Sequence, residues 1–151
     1  MRSTHRRSIL GAFTAFLVMA VAACGGDTST SPDVQVPTTP VGSYSLSTVN
    51  GKSVPVTMFA DTAFTEVLAS ASLALTTDGK YVAAITTNET VAGYLSVYVD
   101  TLSGTWTRQG STPAIVFTSS DASVPAVNGT WSGNTISLLD ANALAWVFTR
   151  K

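Results

Sequence analysis

Histidine and cysteine supply most nucleophiles, general bases and zinc ligands, and this sequence has one of each in 151 residues. The histidine, His5, stands in a basic stretch at the N-terminus, ahead of an uncharged run from Ser8 to Ala23 that ends at the cysteine, Cys24. Met1 to Arg7 followed by that run reads as a signal peptide, 1–23, removed from the mature chain. The run is shorter than the roughly 20 apolar residues that span a bilayer. Removing 23 of 151 residues leaves 128, enough for one domain with a single core. The mature chain then has no imidazole. No Ser-His-Asp or Cys-His arrangement, no intrachain disulfide and no His- or Cys-based zinc site can be assembled.

Positive charge is scarce too. Arg2, Arg6 and Arg7 leave with the leader, so five Lys and Arg remain against nine Asp and Glu, a net charge of −4. That balance argues against nucleic acid and against anionic lipid headgroups as partners. Only carboxylate or lysine chemistry is left for an enzyme, and Asp61, Glu66, Asp78, Asp121 and Asp140 are scattered over different turns. The expectation is a non-catalytic protein without cofactor or metal.

Val21-Ala22-Ala23-Cys24 resembles the cleavage box of bacterial lipoproteins: an aliphatic residue, two small ones, then cysteine. The resemblance implies a diacylated Cys24 as the first mature residue, its new amine often acylated as well. Each buried methylene contributes about 0.8 kcal/mol, so two or three chains hold a protein on the membrane essentially permanently. The alternatives are an uncleaved N-terminal anchor helix, or ordinary signal cleavage after the small residues just before Cys24. Arg6-Arg7-Ser8-Ile9-Leu10 weakly resembles a twin-arginine export signal, although adjacent arginines are common in ordinary leaders. Gly25 stands where inner-membrane-retained lipoproteins of some bacteria carry Asp. By that resemblance the protein is anchored in the cell envelope, with the outer membrane favoured, facing periplasm or cell surface. Residues 24–41 form the lipidated cysteine and a flexible tether, rich in Gly, Ser and Thr with prolines at 32, 37 and 40. Such a tether spans about 20–25 Å as a coil and about 50 Å as polyproline II.

From Gly42 the pattern changes to short runs rich in Val, Thr, Ile, Leu and aromatics, separated by turn residues. Asn50-Gly51 suits a type I′ hairpin, and Pro55 puts the following run at an edge or bend. Asp61 to Glu66 reads as a loop or single turn. Val67 to Thr76 leads through Asp78-Gly79 into Lys80 to Thr87, and Asn88 to Gly93 reads as a turn region. Tyr94 to Arg108 is long for one straight strand. Its apolar face switches near Asp100 to Gly104, which suggests a bulge there, with Asp100 and Arg108 as a solvated ion pair. Pro113 to Thr118, Val124 to Trp131, Thr135 to Leu139 and Ala143 to Arg150 complete eight or nine strands. No connection is long enough for a parallel crossover. The fold class is therefore all-β, an antiparallel up-and-down barrel of about eight strands over 42–151, because closure removes exposed edges.

The domain resembles the bacterial lipocalin-like lipoprotein domains. The carrying stretches are Gly42-Ser43-Tyr44-Ser45-Leu46, Val49-Asn50-Gly51-Lys52-Ser53-Val54-Pro55 and Leu73-Ala74-Leu75-Thr76-Thr77-Asp78-Gly79-Lys80-Tyr81. Gly104-Thr105-Trp106 and Gly129-Thr130-Trp131-Ser132-Gly133-Asn134-Thr135-Ile136 complete them. In lipocalins a Gly-x-Trp on the first strand lies under a basic residue near the end of the last strand. The matching positions here are Gly42-Ser43-Tyr44 and Arg150, so the resemblance assigns barrel closure to Tyr44 and Arg150. A tyrosine face accepts a guanidinium at about 0.5–1 kcal/mol when exposed. Gly104-Thr105-Trp106 and Gly129-Thr130-Trp131 sit mid-chain and read as core tryptophans entering after a turn.

An eight-stranded barrel is either filled by its own side chains or holds one small ligand. Many large inward groups argue for filling; Ala69, Ala71, Ala74, Ala83 and Ala114 leave room. The candidate ligand-lining residues are Tyr94, Tyr98, Trp106, Trp131 and Trp146, although core packing alone accounts for aromatics at such positions. Two functions follow. One is a lipid-anchored binding module for a small apolar ligand, as the resemblance implies. The other is a packed barrel acting from its outside, as an envelope structural or protein-interaction module.

Overall fold

The computed structural model describes residues 37–151; the leader, Cys24 and the tether as far as residue 36 lie outside the described residues. Every regular element within them is a strand: β1 (Gly42–Val49), β2 (Lys52–Ser53), β3 (Val56–Ala60), β4 (Phe64–Leu75), β5 (Lys80–Val91), β6 (Tyr94–Arg108), β7 (Ala114–Ser119), β8 (Val127–Ser132), β9 (Thr135–Leu139) and β10 (Ala145–Arg150). All pairs are antiparallel, in the order β2-β1-β10-β9-β8-β7-β6-β5-β4-β3, and a further β1–β4 pairing closes the sheet on itself. The result is an eight-stranded up-and-down barrel with β2 and β3 added, consistent with a lipocalin-like barrel.

Closure is made at one end only. Gly42 to Ser45 of β1 pair with Ser72 to Leu75 of β4, whereas Thr48 and Val49 pair instead with Ser53 and Lys52. The upper half of β4 turns to β3, with Val56 opposite Leu68 and Ala60 opposite Thr65. Between β2 and β3 the chain crosses this split through Val54 and a cis Pro55. Pro55 has no backbone N–H to donate, which suits it to the break between two short edge segments rather than a paired strand. Asn50 and Gly51 both take positive φ, +49° and +77°, as the hairpin reading requires.

Up-and-down connection sorts the loops between two ends. At the closed end lie residue 37, where the described chain begins, the β4–β5 turn at 76–79, the β6–β7 turn and the β8–β9 turn. At the other end lie the β5–β6 turn at Ala92-Gly93 and the β7–β8 and β9–β10 loops. The inward row is apolar throughout: Tyr44, Leu46, Leu73, Tyr81, Ile115, Phe117, Trp131, Ile136 and Phe148 are buried, and no polar or charged residue joins them.

Several features depart from the sequence reading. Phe64 to Glu66, read as part of a loop or single turn, already belong to β4. Asn88 to Thr90 do not turn; β5 runs on to Val91, and only Ala92 and Gly93 form the turn, at φ +48° and +87°. Nor does β6 bulge between Asp100 and Gly104, since its register with β5 is unbroken from Tyr94 opposite Val91 to Thr105 opposite Lys80. Irregularities fall instead between Leu46 and Thr48, Thr57 and Phe59, and Leu68 and Ser70. What changes along β6 is its surroundings. Only Gly104 to Arg108 have β7 as a second neighbour; residues before them pair with β5 alone. The upper parts of β3, β4, β5 and β6 thus form a sheet extending past the barrel mouth.

Candidate ligand-binding cavity

The closed end is sealed from the residues upward. Tyr44 is fully buried, and its hydroxyl donates to the Pro40 carbonyl at 2.6 Å. Arg150 lies with its guanidinium carbon 5.0 Å from the Tyr44 ring centre. Its Nη2 donates to the Tyr44 hydroxyl and to the Thr39 carbonyl, both at 2.8 Å, and its Nη1 donates to the Val41 carbonyl at 2.6 Å. These bonds tie the last strand to the segment entering the first. Gly42 gives the guanidinium room, for a Cβ there would lie 2.6 Å from Nη1 and the backbone has φ +146°. Burial pushes the Tyr44 phenol up from its ordinary value, against the opposing pull of Arg150.

Two of the tryptophans belong to this floor. Trp106 donates its indole N–H to the Thr76 carbonyl at 3.2 Å, in the β4–β5 turn. Trp131 donates to the Gly133 carbonyl at 2.8 Å and carries the Arg108 guanidinium over its ring at 5.2 Å. Arg108 also donates to the Thr112 and Ser111 carbonyls. It makes no ion pair with Asp100, contrary to the expectation from the sequence. The unbroken β6 keeps them far apart, Asp100 near its middle beside Ile85 and Arg108 at its end beside Ile115.

Above the floor is a cavity of about 560 Å³. Its walls are apolar, from Ala83, Ile85, Leu102, Phe117, Leu138 and Trp146, and it reaches the loops Val124–Asn128 and Asp140–Asn142 at the open end. Trp146 is positioned by Asp140: the carboxylate takes the indole N–H on Oδ2 at 3.0 Å and the Asn142 and Leu144 backbone N–H groups on Oδ1 at 2.8 and 2.9 Å. Asn128, Asp140 and Asn142 are the polar groups at the rim. The volume lies within the range of about 300–1,000 Å³ typical of small-molecule sites.

Of the five candidate ligand-lining residues, the structure brings only Trp146 to this cavity. Trp106 and Trp131 pack below it. Tyr94 and Tyr98, 81% and 48% exposed, stand on the extension beyond the mouth. The sequence reading missed the β7–β8 loop as part of the wall. Its signal was three apolar residues, Val124-Pro125-Ala126, in a stretch that reads as the start of a strand but stays unpaired until Val127.

Among the described residues no group of three or more His, Cys, Asp or Glu could hold a metal ion, and no helix is long and apolar enough to cross a membrane. Comparison with protein-family models, with curated proteins and with solved structures finds no match.

Proposed function

We propose that this protein is a lipid-anchored, non-catalytic binding module of the bacterial cell envelope that takes a small apolar molecule into the open end of its barrel. The observation that carries the reading is the apolar cavity of about 560 Å³ with Trp146 in its wall. A packed barrel working only from its outside would have filled that space with side chains, since protein interiors close to crystal-like density. The carboxylate at the rim, Asp140, has both oxygens occupied, Oδ1 by the Asn142 and Leu144 amides of its own loop and Oδ2 by the Trp146 indole of β10, so it supports a structural role there over an acid-base one. Anchorage rests on Cys24 and the box before it.

The test is to extract purified protein with solvent, identify what is released, and titrate fluorescent lipids while following tryptophan emission. Binding that is abolished in Ala83→Trp, with an unchanged far-ultraviolet spectrum, supports the reading, because an indole at Ala83 would occupy the cavity. Clean extracts together with no binding by the parent protein would sink it. Mass spectrometry of the native N-terminus tests the anchor separately: a free thiol at Cys24, or a leader still attached, would overturn that part.

A further inference from the structure

Among the described residues, the edge of β6 beyond the barrel has no partner strand. In the β5–β6 hairpin a two-residue turn joins Val91 to Tyr94, which makes them a hydrogen-bonded pair. Bonded pairs alternate along an antiparallel ladder, so Tyr94, Ser96, Tyr98, Asp100 and Leu102 direct their N–H and C=O groups toward β5. Leu95, Val97, Val99, Thr101 and Ser103 direct theirs the other way. The first backbone contact on that side bears this out: the Ser103 carbonyl accepts from the Ser120 N–H at 2.8 Å. Leu95, Val97, Val99 and Thr101 lie above the region that β7 covers, and their outward backbone groups meet no other strand among the described residues.

This edge carries few of the devices that usually keep strands apart. Tyr94 to Ser103 contains no Pro, Lys or Arg and no bulge, and its one charge is Asp100. On the outer face Leu95, Val97 and Val99 are 64%, 59% and 63% exposed. Their neighbours across β5 on that face are Thr90, Asn88 and Thr86. The apolar row is therefore confined to the edge strand, the one place where a further strand would cover it.

We infer that the occupant of this edge is a second copy of the chain, its β6 paired antiparallel with this one about a two-fold axis at Val97. The strand is self-complementary in that register. Val97 lies opposite the second copy's Val97, and Leu95 lies opposite its Val99, so each aliphatic side chain meets another. All of these are outward-directed residues, so the outward N–H and C=O groups pair with one another. On the inner face Ser96 meets the second copy's Tyr98, and Asp100 meets its Tyr94, a hydroxyl donor rather than a second carboxylate. The two extensions then form one continuous sheet, an isologous interface of the kind most homodimers use. The inference does not depend on what the cavity holds.

Sedimentation velocity of the full chain in detergent, from micromolar to millimolar concentration, should show a concentration-dependent monomer–dimer equilibrium. Val97→Lys sets two ammonium groups opposite each other, and Val97→Pro removes the outward N–H at the axis. Each should weaken association by roughly tenfold or more, while Val82→Lys, exposed but away from the edge, should not. If Val97→Pro disturbs the fold, Val97→Lys decides. A symmetric pair at the axis has Cα atoms about 5.5 Å apart, within disulfide range. Mild oxidation of the full chain carrying Val97→Cys should therefore give covalent dimers well above those of the parent, whose only thiol is Cys24, and of Val82→Cys. The inference is overturned by a parent that stays monomeric throughout, by a dimer that Val97→Lys and Val97→Pro leave intact, or by equal cross-linking from positions 82 and 97.

Discussion

At the scale of single residues, Arg150 holds the closed end together. Its guanidinium meets the Tyr44 ring and hydroxyl and two carbonyls of the entering chain at once. A planar fork can satisfy these partners together, whereas an ammonium on a flexible stem cannot. Arg150→Met removes the donor from the part-buried Val41 carbonyl and Tyr44 hydroxyl and the contact with the Tyr44 ring, and should destabilise the fold by about 2–4 kcal/mol in denaturant unfolding. Arg150→Lys should recover less than half of that loss. Tyr44 adds a pH dependence whose sign follows from its raised pKa. Below the ordinary tyrosine value, about 10, the neutral phenol is present in both folded and unfolded chains and its contribution is complete. Above that value the unfolded chain loses the proton first, so stability falls as pH rises toward the folded-state pKa. The thermal midpoint should therefore drop on the alkaline side of pH 10, and the drop should be shallower in Tyr44→Phe. An equal alkaline loss in both proteins would rule out this linkage.

Among the elements, β6 shows what could and could not be read from sequence. Strand runs, the Asn50-Gly51 turn and the edge character around Pro55 were readable because each follows from local backbone chemistry. The pairing of Tyr44 with Arg150, joined by a chain separation no local rule spans, was readable only through the resemblance to lipocalins. The change in apolar face along Tyr94 to Arg108 was real, but its cause was not local. A strand that leaves the barrel keeps its pleat and changes its surroundings, so Val97 and Val99 become outward residues without any bulge to redirect them. Asn88 and Thr90 likewise favour turns in isolation. In β5 they are held extended by Val67 and Thr65 on one side and Val97 and Leu95 on the other, where pairing overrides propensity. The site was readable only at Trp146. Which tryptophan faces a void depends on loops closing over the barrel, and strand alternation carries no information about them. Gly104 marks the position where β6 first gains a second neighbour, and it does so by close approach: a Cβ there would lie 2.0 Å from the Thr118 carbonyl oxygen. Alanine ordinarily improves on glycine in a strand. Gly104→Ala should instead force β6 and β7 apart and cost about 3 kcal/mol, with faster amide exchange in β7 as its local signature.

Across the whole molecule, the sparse charges are sorted by end. Asp61, Glu66, Glu89, Asp100, Asp121 and Asp140 lie on the half that bears the open mouth, with Lys52 alone against them. Among the described residues, Lys80, Arg108, Arg150 and Lys151 lie at the closed end, where Asp78 is the single acidic side chain and is held below its usual range by the Thr76 hydroxyl and Lys80. The modest net charge therefore hides a separation along the barrel axis, with a negative mouth above an apolar cavity. Glu66 and Glu89 stand directly opposite one another on β4 and β5, a like-charge pairing that weakens the sheet slightly while adding to the field at the mouth. For a ligand whose tail enters the cavity, the headgroup stops among these carboxylates. On the proposed function, a cationic amphiphile should bind about tenfold more tightly than an anionic one of equal chain length at low ionic strength, with a neutral one between. The difference should shrink as salt shortens the Debye length to about 3 Å near 1 M, while binding of the neutral ligand changes little. Displacement titrations with matched alkyl ammonium, alcohol and carboxylate ligands at two salt concentrations measure both effects. A preference for the carboxylate would mean that headgroups reach the basic closed end, and the cavity would then be entered from the floor that Tyr44 and Arg150 seal.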